Sequence, residues 1–194
     1  MRFLQYKHHK YTIMSDQIKH ECGIALLRLR KPLEHYLSKY GTAFYALNKM
    51  HLLMQKQHNR GQDGAGIASI KLNMSPGNTY IDRERSNSGS PLKDIFNAAY
   101  EPLKAIENEN PKRLSDVNWL KENAPFTGEV FMGHLRYGTF GINTIQSIHP
   151  VLRKNNWKTR NLVLAGNFNL TNVNELFDRL VAYGQFPTET SDTI

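Results

Sequence analysis

Cys22 is the only cysteine in a chain of 194 residues, and it sits in His20-Glu21-Cys22-Gly23, just ahead of the apolar run Ile24-Ala25-Leu26-Leu27. A thiolate is a good nucleophile, yet a free cysteine at the head of a strand ordinarily packs as a small hydrophobe. A catalytic role requires a substrate anchor, an oxyanion donor and a base from elsewhere in the chain. Arg136, in Gly133-His134-Leu135-Arg136-Tyr137-Gly138-Thr139, stands where a strand gives way to a glycine turn. Its planar fork can hold a carboxylate through two hydrogen bonds, or simply pair with a surface acid. Asn167, in Ala165-Gly166-Asn167-Phe168, can donate its amide to a developing oxyanion beside a backbone N–H, or can serve turn geometry. Asp192, in Thr190-Ser191-Asp192-Thr193-Ile194, can receive an ammonium group or cap a helix.

Cysteine, asparagine, arginine and aspartate together suit attack on the side-chain amide of glutamine. The cysteine would form a thioester and the asparagine would steady the tetrahedral oxyanion. The arginine and aspartate would grip the amino-acid end. No histidine stands out as the base. His134 shares a strand face with Arg136, two residues on, and equally suits a packed strand position; His58 and His149 fall in loops. An N-terminal α-amine, with an ordinary pKa of about 7.7–8.0, would serve. That requires Cys22 to be the first residue of the mature chain.

The elements that must position these residues follow from periodicity and turn signals. Residues 22–29 predict a first strand, closed by Lys31-Pro32. Residues 42–57 carry Phe44, Leu47, Met50, Leu53 and Met54 at helical spacing. The glycine-rich Arg60-Gly61-Gln62-Asp63-Gly64-Ala65-Gly66 leads into a strand over 67–72, which forms a hairpin with 80–85 across Ser75-Pro76-Gly77-Asn78. A helix is predicted over 91–106, then a polar surface excursion over 107–127 with a short helical piece around Trp119. Strands follow over 129–136 and 161–165, with a long loop through His149-Pro150 between them, and Thr171 caps a last helix over 172–183. Hairpins segregated from helices indicate a layered α+β domain.

Composition narrows the function class. The formal charge is +8, the sequence pI about 9.6 and the mean hydropathy −0.55. The basic residues are scattered and form no continuous stripe, which argues against nucleic-acid binding. One cysteine excludes an intramolecular disulfide and a multi-cysteine zinc site, and fits a reducing cytoplasmic setting. No stretch has the apolar length of a membrane helix. Residues 1–21 lack the apolar core of a secretory signal and suggest a leader, or an extension ahead of a second start at Met14.

The segments Cys22-Gly23-Ile24, Arg60-Gly61-Gln62-Asp63-Gly64-Ala65-Gly66, Gly133-His134-Leu135-Arg136-Tyr137, Asn169-Leu170-Thr171-Asn172 and Thr190-Ser191-Asp192 resemble class II glutamine amidotransferase domains. They are most similar to the glutaminase half of the amidophosphoribosyltransferases. The resemblance covers residues 22–194. It implies the N-terminal-nucleophile hydrolase fold, a four-layer αββα sandwich of two antiparallel sheets, here incomplete at its C-terminal side. By resemblance Cys22 is the nucleophile and its freed amine the base. Asn167 and the Phe168 N–H form the oxyanion hole, Arg136 binds the substrate α-carboxylate and Asp192 the α-amine.

The resemblance further implies L-glutamine as substrate, with ammonia passed to phosphoribosyl pyrophosphate in a phosphoribosyltransferase domain lying outside this chain, in purine biosynthesis. No cofactor is expected in the glutaminase part, and Mg2+ belongs only with that other domain. No nucleic-acid or membrane partner is expected, whereas a homo-oligomer is compatible. Three departures from the family pattern stand out: the residues ahead of Cys22, Phe168 where the family has glycine, and an extra residue in Gln57-His58-Asn59-Arg60-Gly61. A non-catalytic module of the same fold, or another class II amidotransferase of the glucosamine-phosphate or asparagine synthetase type, are the competing expectations.

Overall fold

The computed structural model describes residues 21–138, 143–168 and 170–187. Its elements run β1 (Gly23–Arg28), α1 (Leu33–Tyr40), α2 (Tyr45–Lys56), β2 (Gly64–Ile70), β3 (Ile81–Ser86), α3 (Pro91–Glu109), α4 (Val117–Asn123), β4 (Val130–Arg136), β5 (Val151–Arg153), β6 (Leu162–Leu164) and α5 (Val173–Ala182). The class is α+β. A four-stranded antiparallel sheet has the order β1-β4-β2-β3, and β5 and β6 pair as a small second sheet.

Side chains alternate between the two faces of a strand, and residues directly opposite in an antiparallel pair share a face. Gly23 faces Leu135, Ala25 faces Gly133 and Leu27 faces Phe131. That side is covered by α2 and α3, whose Leu47, Met50, Met54, Ile95 and Phe96 are fully buried with Phe131 and Leu135. The other side carries Ile24 opposite His134 and Leu26 opposite Met132. There Ile24 and Leu26 are exposed, while the Ile148-His149-Pro150 segment packs onto Gly64 and Gly66 of β2.

The helical stripe of residues 42–57 is realised as α2, with Leu53 turned to solvent and Leu47, Met50 and Met54 inward. β2 starts three residues earlier than periodicity suggests, inside the glycine run. The short helical piece around Trp119 is α4, but the expectation that 107–127 is a surface excursion is corrected: Val117, Leu120, Ala124 and Phe126 join the core. Asp116 caps α4 by accepting from the Trp119 N–H at 3.0 Å. The long loop through His149 contains β5, and α1 follows Pro32 directly.

A buried polar cluster ties α4 to the β2–β3 hairpin. The Lys71 ammonium, 4% exposed, donates to the Ala124 carbonyl at 2.8 Å and lies 3.7 Å from Asp82 Oδ2. Asp82 also accepts from the Phe126 N–H at 3.0 Å. Burial pushes the Asp82 carboxyl up and the Lys71 ammonium down, each partly opposed by the other's charge. Removing one member of a buried pair strands its partner. Lys71→Met is therefore expected to cost about 3 kcal/mol in urea unfolding, and Lys71→Met with Asp82→Asn to recover part of it. Parent-like stability of Lys71→Met would mean that packing alone holds α4.

Candidate active site

Cys22 immediately precedes β1, so it lies beside the C-terminal end of β4, the strand that pairs Gly23 with Leu135. Its half-buried Sγ–H points at the Tyr137 carbonyl across 3.9 Å, a weak contact that places the thiol without tying it. Gly23 leaves space for side chains rather than for another backbone. A Cβ there would stand 3.0 Å from Gln57 Oε1 and 3.4 Å from the Leu135 side chain.

Arg136 ends β4. Its Nη1 donates to the Ser147 carbonyl at 2.9 Å. Its backbone is held by the glycine-rich segment: the Asp63 N–H donates to the Arg136 carbonyl at 3.1 Å. Asp63 Oδ2 accepts from the Gly138 N–H, and the Asp63 carbonyl from the Asn143 amide, both at 2.7 Å. Asp63 thus holds both flanks of residues 139–142, which lie outside the described residues. Two glycines of the same segment are needed for close approach. A Cβ on Gly61 would lie 2.6 Å from the Arg136 carbonyl, and one on Gly66 would lie 2.2 Å from the His149 carbonyl oxygen. The extra residue of Gln57-His58-Asn59-Arg60 is taken up by a turn of 3-10 helix over His58–Arg60, closed by Arg60 N–H donating to the Gln57 carbonyl at 2.8 Å.

His134 is 2% exposed, and among the described residues neither of its ring nitrogens meets hydrogen-bond geometry. Burial pushes its pKa down to about 3, with His149 and Arg136 adding to the fall and the Gly166 backbone partly opposing it. It is neutral at pH 7 and poorly matched to proton abstraction. Its ring centroid lies 4.8 Å from that of His149. His149 Nδ1 in turn approaches the Gly166 carbonyl at 2.9 Å. Through His149, the Gly166-Asn167-Phe168 turn after β6 is joined to the strand that carries Arg136.

Asn167 and Phe168 are both exposed. Phe168 is not forced into a glycine conformation: among the described non-glycine residues, positive φ falls at Asn73 and Phe126. Asp192 lies outside the described residues. Among the described residues no group of three His, Cys, Asp or Glu side chains is placed to hold a metal ion, and no helix is long and apolar enough to cross a membrane. Asp63 and His149 make contacts to the backbone of other segments that residue types alone did not reveal. The density of glycines ahead of β2 was the available signal, since three in seven positions indicate backbone crowding.

No family model matches the chain. Over 143 residues, 74% of its length, it is 29% identical to an amidophosphoribosyltransferase of Lacticaseibacillus casei, and the match spans 58% of that relative's length. The chain is thus distantly similar to an amidophosphoribosyltransferase.

Proposed function

We propose that the chain is the glutamine-hydrolysing domain of an amidophosphoribosyltransferase-like enzyme, its four-stranded sheet and β5–β6 pair belonging to the two sheets of an N-terminal-nucleophile sandwich. The observation that carries the reading is the thiol of Cys22 at the head of β1, beside the β4 end that presents Arg136. The distant similarity to an amidophosphoribosyltransferase supports it.

Cleavage between Glu21 and Cys22 frees the α-amine that takes the thiol proton. The thiolate attacks the side-chain amide carbon of L-glutamine, and the oxyanion is met by the Asn167 amide and the Phe168 N–H. Arg136 holds the α-carboxylate and Asp192 the α-ammonium. Ammonia leaves with the proton held by the amine, and water then opens the thioester to give glutamate. The ammonia passes to phosphoribosyl pyrophosphate in a phosphoribosyltransferase domain, where Mg2+ belongs; no step in this domain runs through a cofactor. The low basicity of His134 favours the α-amine over a side-chain base.

Intact mass of the full protein from its own host, before and after a glutamine-like diazo-ketone, tests this reading. The expected result is a chain beginning at Cys22 that gains one covalent adduct. A chain that retains His20 and Glu21 and takes no adduct would overturn it in favour of a non-catalytic module of the same fold.

A further inference from the structure

An ideal Cβ on Gly166 would lie 2.2 Å from Phe168 Cζ, so the phenylalanine ring folds back over the glycine. The His149 ring lies beside that of Phe168, with centroids 5.9 Å apart, and meets His134 on the strand side. His149 is 7% exposed. Its Nδ1 lies 2.9 Å from the Gly166 carbonyl oxygen and 3.3 Å from the Gly166 nitrogen. The tautomer sets the roles: Nδ1–H donates to the Gly166 carbonyl, or a bare Nδ1 accepts from the Gly166 N–H, and either contact holds the Gly166 backbone. The ring is delivered from a firm base. The Ile148 carbonyl accepts from Arg85 Nη1 at 2.9 Å, and the His149 carbonyl rests against Gly66 of β2.

A peptide unit is planar. A hold on the Gly166 backbone therefore restrains the peptide plane that leads into Asn167, which together with the φ and ψ of Asn167 sets where its side chain and the Phe168 N–H point. We propose that His149 is the positioning residue of the oxyanion turn, acting through the contact of its Nδ1 with the Gly166 backbone. This rests on the amidotransferase reading above. Asn167 is exposed and follows β6, a strand of only three residues, so the strand ladder gives the turn little hold of its own. The grip comes from a different segment, anchored on β2 and β3.

The test uses the full processed protein with three variants. His149→Phe keeps an aromatic ring and loses the polar contact. His149→Leu is a second apolar replacement should the first not fold. His149→Asn places an amide close to where Nδ1 stood. Glutamine kcat and KM are measured together with amide hydrogen exchange at Gly166, whose N–H faces His149 Nδ1. Removing an oxyanion donor outright costs about 10²–10³ in kcat, so a misaimed one is expected to cost about 30-fold. KM should stay within about 3-fold, because the α-carboxylate and α-ammonium contacts are untouched. Exchange at the buried Gly166 amide should quicken by about 10-fold or more, and His149→Asn should restore both readouts to within about 5-fold.

Unchanged kcat and unchanged exchange in the apolar variants overturn the proposal. Equal losses in His149→Asn and His149→Phe do so as well, since ring shape and not the polar contact would then matter. If the parent protein neither hydrolyses glutamine nor takes the diazo-ketone, the amidotransferase reading fails. The exchange data then decide the positioning claim alone: slackening in His149→Phe but not in His149→Asn upholds it, and equal exchange in both overturns it.

Discussion

Cys22→Ala is expected to abolish glutamine hydrolysis while leaving both the fold and glutamine binding in place. A nucleophile that forms a covalent intermediate cannot be replaced by the rest of its site, and losses on the order of 10⁴-fold or more follow its removal. The effect on stability should be within about 1 kcal/mol. The Cys22 thiol is half-buried and makes a single long contact, 3.9 Å to the Tyr137 carbonyl. Gly23, not Cys22, meets the tightly packed Gln57 and Leu135 side chains. Equilibrium dialysis with labelled glutamine and a thermal melt separate these expectations from simple unfolding. Hydrolysis that persists in Cys22→Ala would move the nucleophile elsewhere. A collapsed melting temperature would make Cys22 a packing residue, the ordinary fate of a lone cysteine at a strand head.

Much of the scaffold was readable because burial there is periodic. Leu47, Met50 and Met54 recur at helical spacing and all reach the core, and the same pattern errs at Leu53, which sits at the edge of the stripe and faces solvent. α1 gave no such signal: Leu33 is its one buried residue, and Tyr36, Tyr40 and the later Tyr45 stack on one another near the surface. Residues 107–127 misled for the opposite reason. Their composition is polar, yet four apolar side chains, Val117, Leu120, Ala124 and Phe126, are enough to anchor α4. β5 and β6 span three residues each, too short for alternation to register.

At the candidate site, Cys22 and Arg136 stood out as candidates because Cys22 is the one thiol, at a strand head, and Arg136 a charge at a strand end. Their nearness was not legible, since it depends on β1 pairing with β4 across more than a hundred residues. Asp63 and His149 stayed hidden for the same reason. Asp63 acts on the backbone of Arg136, Gly138 and Asn143, and His149 on that of Gly166. Such contacts have no local sequence period. Phe168 looked like a misfit in a glycine position, and its ring instead occupies the room left by Gly166.

Arg136→Leu is expected to raise the glutamine KM by about 30- to 100-fold, the roughly 2–3 kcal/mol that charge-assisted hydrogen bonds to a carboxylate contribute. The geometry also sets what the variant does to the fold. Arg136 Nη1 donates to the Ser147 carbonyl at 2.9 Å, so the leucine leaves that acceptor without its donor and should cost about 1 kcal/mol of stability. The backbone grip of Asp63 on Arg136 does not involve the side chain and should survive. Arg136→Lys sharpens the test. Lysine keeps the charge but loses the fork, so its KM should fall between those of the parent and Arg136→Leu, while its kcat stays near the parent's once substrate is saturating. A ligand role therefore demands that KM grade from arginine to lysine to leucine with melting temperatures nearly level. Were the melting temperature to fall steeply and KM to stay flat in the folded fraction, Arg136 would be a strut between β4 and the segment at Ser147, and the carboxylate of glutamine would have to be held by another cation.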